Sequence, residues 1–247
     1  MPPAEAALTE NGLLGGRLRL LQPQRGYRVA IDPVLLAAAV PARAGEEVLD
    51  AGAGTGAAAL CLAARCPGVR VTGVEREPEL LDLARRNVVV NGLGDRIAMV
   101  EGDLATALRG TSFDRVMTNP PFHPAAAATP PATATGQAAH LATMEVAPWV
   151  RACLARLRPG GELTLIHRAA CLDSLLAALA EGAGAIRVCP LWPKAGVAAK
   201  RAIVAARKGA RGPLALLPGL VLHEADGRFT SAADDILRHG ADLPLRA

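Results

Sequence analysis

The sequence predicts an α/β domain built on a mostly parallel sheet with helices on both faces, and three observations predict it. Apolar strand-like runs alternate with helix-forming runs from residue 47 onward. A glycine-rich turn, Gly52-Ala-Gly-Thr-Gly56, joins the first of these strands to the first helix. Acidic residues (Asp50, Glu75, Asp103) stand at or just past the ends of three successive strands, the edge where open parallel sheets bind ligands. A length of 247 residues suits one main core. Hydrophobic residues make up 51% of the chain but aromatics only 2%, so the core must be built from Ala, Val and Leu.

Taken in order, residues 1–16 lack an apolar period and read as a loose arm. Arg17-Leu-Arg-Leu-Leu21 alternates as a short strand does, and Gln22-Pro-Gln-Arg-Gly26 turns the chain ahead of Tyr27, the only tyrosine. Asp32-Pro33 opens a helix that runs to Val40, with Asp32 as its N-cap. Strand Glu47–Ala51, helix Ala57–Arg65, strand Val69–Glu75, helix Pro78–Asn91 and strand Arg96–Glu101 follow. A short helix at 104–108 and a strand Phe113–Thr118 lead to Asn119-Pro-Pro-Phe122. The Ala/Pro/Thr-rich stretch 123–136 has no period and is expected to be a substrate-facing lid. A helix from Met144 to Leu157 stops at Arg158-Pro-Gly-Gly161; strands at 162–167, 185–190 and 201–206 and a helix at 172–181 complete the pattern.

The net charge of +4 and pI near 9.0 fit an acidic partner such as RNA without requiring one. Cysteines at 61, 66, 153, 171 and 189 form no C-x-x-C pair and no zinc-type spacing, so no metal is expected and a reducing cytoplasm is. The N-terminus has no basic segment followed by an apolar one, and no 18-residue uncharged apolar run occurs, which disfavours secretion and membrane spanning.

Gly52, Gly54 and Gly56 let the backbone approach a nucleotide-like ligand at a helix N-terminus. Gly52-x-Gly54-x-x-Ala57 with Glu75 also satisfies the dinucleotide fingerprint, which leaves a nicotinamide-dependent oxidoreductase open. Two acids favour S-adenosylmethionine as cofactor. Asp50 would attract a cationic amino group but repel a pyrophosphate, and Glu75 can take two ribose hydroxyls. Asp103, beside Leu104, could accept a hydrogen bond from an adenine amino group.

These blocks, in this order and spacing, resemble class I S-adenosylmethionine-dependent methyltransferases. The resemblance implies a Rossmann-like, seven-stranded sheet of order 3-2-1-4-5-7-6 with the last strand antiparallel and the cofactor over the first strand. Asn119-Pro120-Pro121-Phe122 matches the [DNS]-P-P-[YFW] motif of members that methylate a planar exocyclic nitrogen: adenine N6, guanine N2 or a glutamine amide. In this reading Asn119 and the Pro120 carbonyl hold the target N–H groups, Phe122 stacks on the base, and no metal or covalent nucleophile takes part. Asn119 also borders the cofactor. His123 reads as a rim residue.

Leu21-Gln-Pro-Gln-Arg-Gly-Tyr-Arg-Val-Ala-Ile-Asp-Pro-Val-Leu-Leu36 resembles the signature of bacterial tRNA(Val) (adenine-N6)-methyltransferases that act beside the anticodon, and Gly227–Leu237 resembles their terminal pattern. This implies cofactor roles for Tyr27 and Asp32. It divides the chain into an N-terminal arm and cofactor-covering helix (1–44), a core (45–211) and a C-terminal extension (212–247). Phe-His after the prolines is closer to guanine-N2 ribosomal RNA enzymes. Guanine, protein glutamine and a non-catalytic RNA-binding module therefore stay open beside adenine in tRNA. For RNA contact the candidates are Arg17, Arg28, Lys194, Lys200, Arg201 and Lys208; 187–211 carries no acid. The ordinary alternative is a solvated basic face.

Overall fold

The computed structural model describes residues 7–24, 28–120 and 146–246. Tyr27, Phe122, His123 and the expected lid lie outside the described residues.

The chain opens with a hairpin, β1 (Leu8–Leu13) and β2 (Leu18–Pro23), paired antiparallel from Leu8 opposite Pro23 to Leu13 opposite Leu18. β1 corrects the loose arm expected there. Its sequence, Leu-Thr-Glu-Asn-Gly-Leu, carries no alternation, and the strand exists because β2 supplies a partner. β2 is held in turn by Asn87 on α3 (Pro78–Val90) and, one turn further on, by Asn91 at the C-cap of that helix. Asn87 Oδ1 accepts from Leu21 N (2.7 Å), and its Nδ2 donates to Leu21 O (2.9 Å). Asn91 repeats this pattern on Arg19, at 2.9 and 2.7 Å. Asn87 Nδ2 also donates to the Thr55 carbonyl in the glycine turn, at 3.0 Å. Asn87→Ala would strand three backbone groups and is expected to lower unfolding free energy by about 3 kcal/mol in a urea titration.

α1 (Asp32–Ala39) buries every residue from Pro33 to Ala39. The expected Asp32 cap is absent: Ile31 occupies the N-cap position, and Asp32 Oδ2 instead accepts from Arg201 Nε at 3.0 Å. β3 (Glu47–Ala51), α2 (Ala57–Arg65), β4 (Arg70–Glu75), β5 (Ile97–Glu101) and β6 (Phe113–Thr118) follow with α3 in place, close to the bounds expected. Residues 104–108 make turns rather than a helix. Asp103 Oδ1 accepts from Ala105 N at 2.8 Å, and Leu108 takes a positive φ of 55°, which ends any helical run.

After α4 (146–155), β7 (Leu157–Arg168) starts earlier than expected because Leu157 pairs with Phe113, ahead of a bulge that absorbs the Pro-Gly-Gly segment. α5 (Leu172–Ala180), β8 (Ala183–Lys194), β9 (Arg201–Lys208), β10 (Ala215–Leu216), β11 (Leu220–His223) and α6 (Ser231–Asp234) follow, and α6 runs on into one π-helical turn, Asp235–His239.

The main sheet has the order β10-β8-β9-β7-β6-β3-β4-β5, with β11 also on β8. Seven of its strands reproduce the expected 3-2-1-4-5-7-6 order, β9 running antiparallel to both neighbours. Two short strands, β10 and β11, extend the β8 edge. Alternate residues feed two cores: Met117, Ile166 and Ile203 face α1 and α2, whereas Val116, Leu165 and Val204 face α4 and α5. Strands covered on both faces read as continuous apolar runs, as these do. The C-terminal segment closes over α1 and α2. Leu243 N donates to Ala38 O (2.9 Å), and Arg65 bonds the Ala37 carbonyl, the Gly240 carbonyl and Asp242.

Candidate active site

The register brings the glycine turn and the asparagine together. Ala51, the last residue of β3, lies opposite Thr118, the last of β6, so Gly52 and Asn119 leave adjacent strands at the same level. Neighbouring strands lie about 4.8 Å apart, which sets the scale of that approach. On the other side of β3, Ala51 pairs with Val74 and Glu75 pairs with Glu101, placing Asp50, Glu75 and Asp103 along one edge.

Asn119 Oδ1 is buried and has no hydrogen-bond partner among the described residues. A buried acceptor left unpaired costs about 1–3 kcal/mol, so none of the described residues meets that cost for Asn119 Oδ1. Pro120, the next residue, is buried. Asp50 is 2% exposed, and its Oδ2 accepts from Ala59 N at 3.2 Å. Burial pushes its carboxyl up to about 7; the nearby Glu75 charge adds to this and the Ala59 N–H opposes it.

Glu75 already shapes the turn. Oε2 accepts from Gly54 N at 2.8 Å, and Oε1 accepts from Arg76 N and Glu77 N at 2.8 and 3.0 Å. Lone-pair capacity for ribose hydroxyls is thus mainly on Oε2. Gly52, Gly54 and Gly56 all adopt positive φ, the conformation that favours glycine. Asp103 is exposed at the rim and Leu104 is buried beneath it.

One side chain missed from the sequence touches both the turn and the strand that leads to the asparagine. Trp149, on α4, donates from Nε1 to Thr118 Oγ1 at 3.0 Å, and that hydroxyl donates to Ala51 O at 2.7 Å. A Cβ on Gly52 would meet the edge of the Trp149 ring at 3.1 Å. The signal available was scarcity: the chain has only two tryptophans. His167 lies on the same face of the sheet near the end of β7, and burial pushes its imidazole down to about 4, so it is neutral near pH 7.

Residues 28–181 match the family model described as "Methyltransferase small domain". The chain belongs to this family. Its cofactor is therefore S-adenosylmethionine, and the nicotinamide reading falls away. A tRNA1(Val) (adenine(37)-N6)-methyltransferase of Aeromonas hydrophila is 30% identical over 207 residues, 82% of this chain and 85% of that protein. A release factor glutamine methyltransferase of Chlorobaculum tepidum is 42% identical over 83 residues. This match spans 32% of this chain and only 28% of that protein's length. Among solved structures, a protein of Agrobacterium tumefaciens described as a predicted O-methyltransferase superposes with a TM-score of 0.72 at 28% identity, covering 87% of this chain and all of that one.

In this methyltransferase the candidate RNA-contact residues do not form one patch. Leu191 pairs with Arg201 and Ala183 with Lys208, so Lys194, Lys200 and Arg201 lie toward the cofactor edge and Lys208 at the opposite edge. Lys208 Nζ is engaged by the Leu157 carbonyl at 2.7 Å, and Arg201 by Asp32. Arg17, in the turn before β2, donates to Leu14 O at 3.2 Å, whereas Arg28 follows the far end of β2. A cavity lined by Glu47, Arg70, Asp95, Arg96 and Phe113 lies at the amino ends of the strands and includes none of the predicted site residues. Among the described residues no cluster of His, Cys, Asp or Glu could hold a metal ion, and no helix is long and apolar enough to cross a membrane.

Proposed function

We propose that this methyltransferase acts on the N6 amino group of an unpaired adenine in tRNA near the anticodon. The observation that carries the reading is the buried Asn119 Oδ1, unpaired among the described residues, at the end of the strand beside the one that leads into the glycine turn. An amide oxygen there accepts a hydrogen bond, which suits an N–H target and gives a hydroxyl target no comparable help in shedding its proton. The Asn119-Pro120 segment thereby favours nitrogen over oxygen as the atom methylated, whatever the name of the Agrobacterium neighbour. S-adenosylmethionine supplies an electrophilic methyl group on a sulfonium.

The chain's own residues do the rest. Asn119 and the Pro120 carbonyl accept from the two N–H bonds of the amino group, which turns its lone pair out of the ring plane as charge develops. Asp50 attracts the cofactor's ammonium group, Glu75 receives the ribose, and Asp103 with Leu104 borders its adenine. Phe122, Tyr27 and Asp32 keep the roles that the resemblance implies, stacking on the base for the first and closing over the cofactor for the other two. A target inside a duplex would be out of reach, so the acceptor is a loop base or a flipped one.

Support for tRNA over protein comes from extent. The Aeromonas adenine-N6 relative matches along most of both chains, whereas the glutamine relatives of Chlorobaculum, Deinococcus and Caulobacter match along less than half of each. Incubating total RNA and total protein with radiolabelled S-adenosylmethionine tests this. Label in N6-methyladenosine of tRNA is expected, and label confined to protein would move the reading to a glutamine amide.

Binding through Arg28, Lys194, Lys200 and Arg201 is expected to weaken steeply with salt. Four phosphate contacts imply roughly a hundredfold loss between 50 and 200 mM in a filter-binding titration. A flat salt response would remove these residues from the interface.

A further inference from the structure

The geometry points to Trp149 as a positioning residue for methyl transfer, acting through Thr118 on Asn119. The inference rests on the reading above that Asn119 receives the target nitrogen.

Three contacts converge on this indole. Its Nε1 donates to Thr118 Oγ1 at 3.0 Å. The Thr118 hydroxyl is fully buried and donates to the Ala51 carbonyl at 2.7 Å. The far edge of the ring fills the space over Gly52, where a Cβ would come within 3.1 Å. One hydroxyl thus uses its donor and an acceptor site together, and it ties the last residue of β6 to the last residue of β3. The residues immediately beyond those two are Asn119 and Gly52.

A β-sheet ladder alone leaves the chain free to splay once pairing ends, and these two strands part company at this level. The Trp149–Thr118–Ala51 relay holds the exits of both strands at a fixed separation. Transfer to a nitrogen that must sit in line with a methyl group is sensitive to misplacement on the scale of 1 Å. Binding of the cofactor alone is much less so, because Asp50, Glu75 and the turn amides do not depend on Thr118. The relay therefore governs kcat rather than cofactor affinity.

Trp149→Phe removes the N–H donor and, the ring being shorter, also the Cζ2–Cη2 edge over Gly52, whereas a change at Thr118 leaves that edge in place. In the full-length protein it is expected to lower kcat roughly tenfold to a hundredfold while the Kd for S-adenosylmethionine stays within about twofold. Thr118→Val, which removes the hydroxyl, is expected to reproduce that loss, and Thr118→Ser to restore most of the rate. The double variant Trp149→Phe/Thr118→Val should be no slower than Thr118→Val alone, because both act on one relay. Rates are normalised to cofactor-binding sites, so a partly unfolded preparation does not imitate the result. A wild-type kcat in Trp149→Phe, a loss confined to cofactor affinity, or fully additive losses would each overturn the inference. Rates are measured on whichever acceptor the wild-type protein labels. Label in protein would overturn the adenine reading and leave the relay standing, whereas full activity of Trp149→Phe on tRNA would do the reverse.

Discussion

Replacing Asn119 with alanine is expected to slow methyl transfer by a factor on the order of 10²–10³, with the affinity for S-adenosylmethionine nearly unchanged. The magnitude follows from what one preorganised hydrogen-bonding group contributes when its charge partner develops only in the transition state. Single-turnover rates on tRNA and calorimetric titration with the cofactor separate the two quantities. The fold should not suffer. Asn119 Oδ1 is buried without a partner among the described residues, so its removal relieves an unpaired acceptor, and the thermal midpoint is expected to hold or rise. Asn119→Asp keeps an acceptor in place and should lose less activity. An alanine variant with wild-type rates would defeat the mechanism while leaving the family membership intact.

Asp50→Asn is expected to make the free protein more stable and the cofactor complex much weaker. Burial raises the Asp50 carboxyl from 3.8 to about 7 in the folded chain. Between those values the folded state holds a proton that the unfolded state has released. The stability so gained is complete below about pH 4 and is lost as pH rises through about 7. An interval of roughly three pH units at about 1.4 kcal/mol each puts the loss on the order of 4 kcal/mol. Asparagine is neutral throughout, so denaturant titrations of the variant at pH 8 should recover much of that amount.

The same burial gives cofactor binding a pH dependence. A ligand ammonium favours the ionised carboxylate, so wild-type affinity should fall about tenfold for each pH unit below 7. In Asp50→Asn the affinity should be weaker overall, by a factor of a hundred or more, and flat across this range. An unaltered affinity in the variant would remove Asp50 from the cofactor site.

Most of the central fold was legible because parallel strands covered on both faces must be apolar and must alternate with helices. Glu47–Ala51, Ala57–Arg65 and Phe113–Thr118 follow directly from that requirement. The failures share a cause. β1, with Glu10 and Asn11 in its middle, is a strand only because β2 and the amides of Asn87 and Asn91 create an edge for the hairpin. Likewise, the Pro-Gly-Gly segment that locally ends a helix is drawn into β7 by pairing with β6. Asp32 was legible as a cap and is an ion-pair partner instead, because Arg201 arrives from 169 residues away. At the candidate site the glycines and acids could be found by their position at strand ends. Trp149 could not, since nothing near Pro148-Trp149-Val150 indicates that an indole will lie against Gly52.

The bidentate grip of Asn87 on Leu21, shared with the Thr55 carbonyl, gives the N-terminal hairpin a thermodynamic standing that the exposed, polar sequence of β1 does not suggest. Hairpin and glycine turn draw on one side chain, so opening either exposes the amide that secures the other. They should behave as a single cooperative unit in native-state hydrogen exchange, with the Leu21 amide and the amides of the turn sharing one opening free energy. A protein clipped within the hairpin would then lose order at a loop more than thirty residues further along the chain.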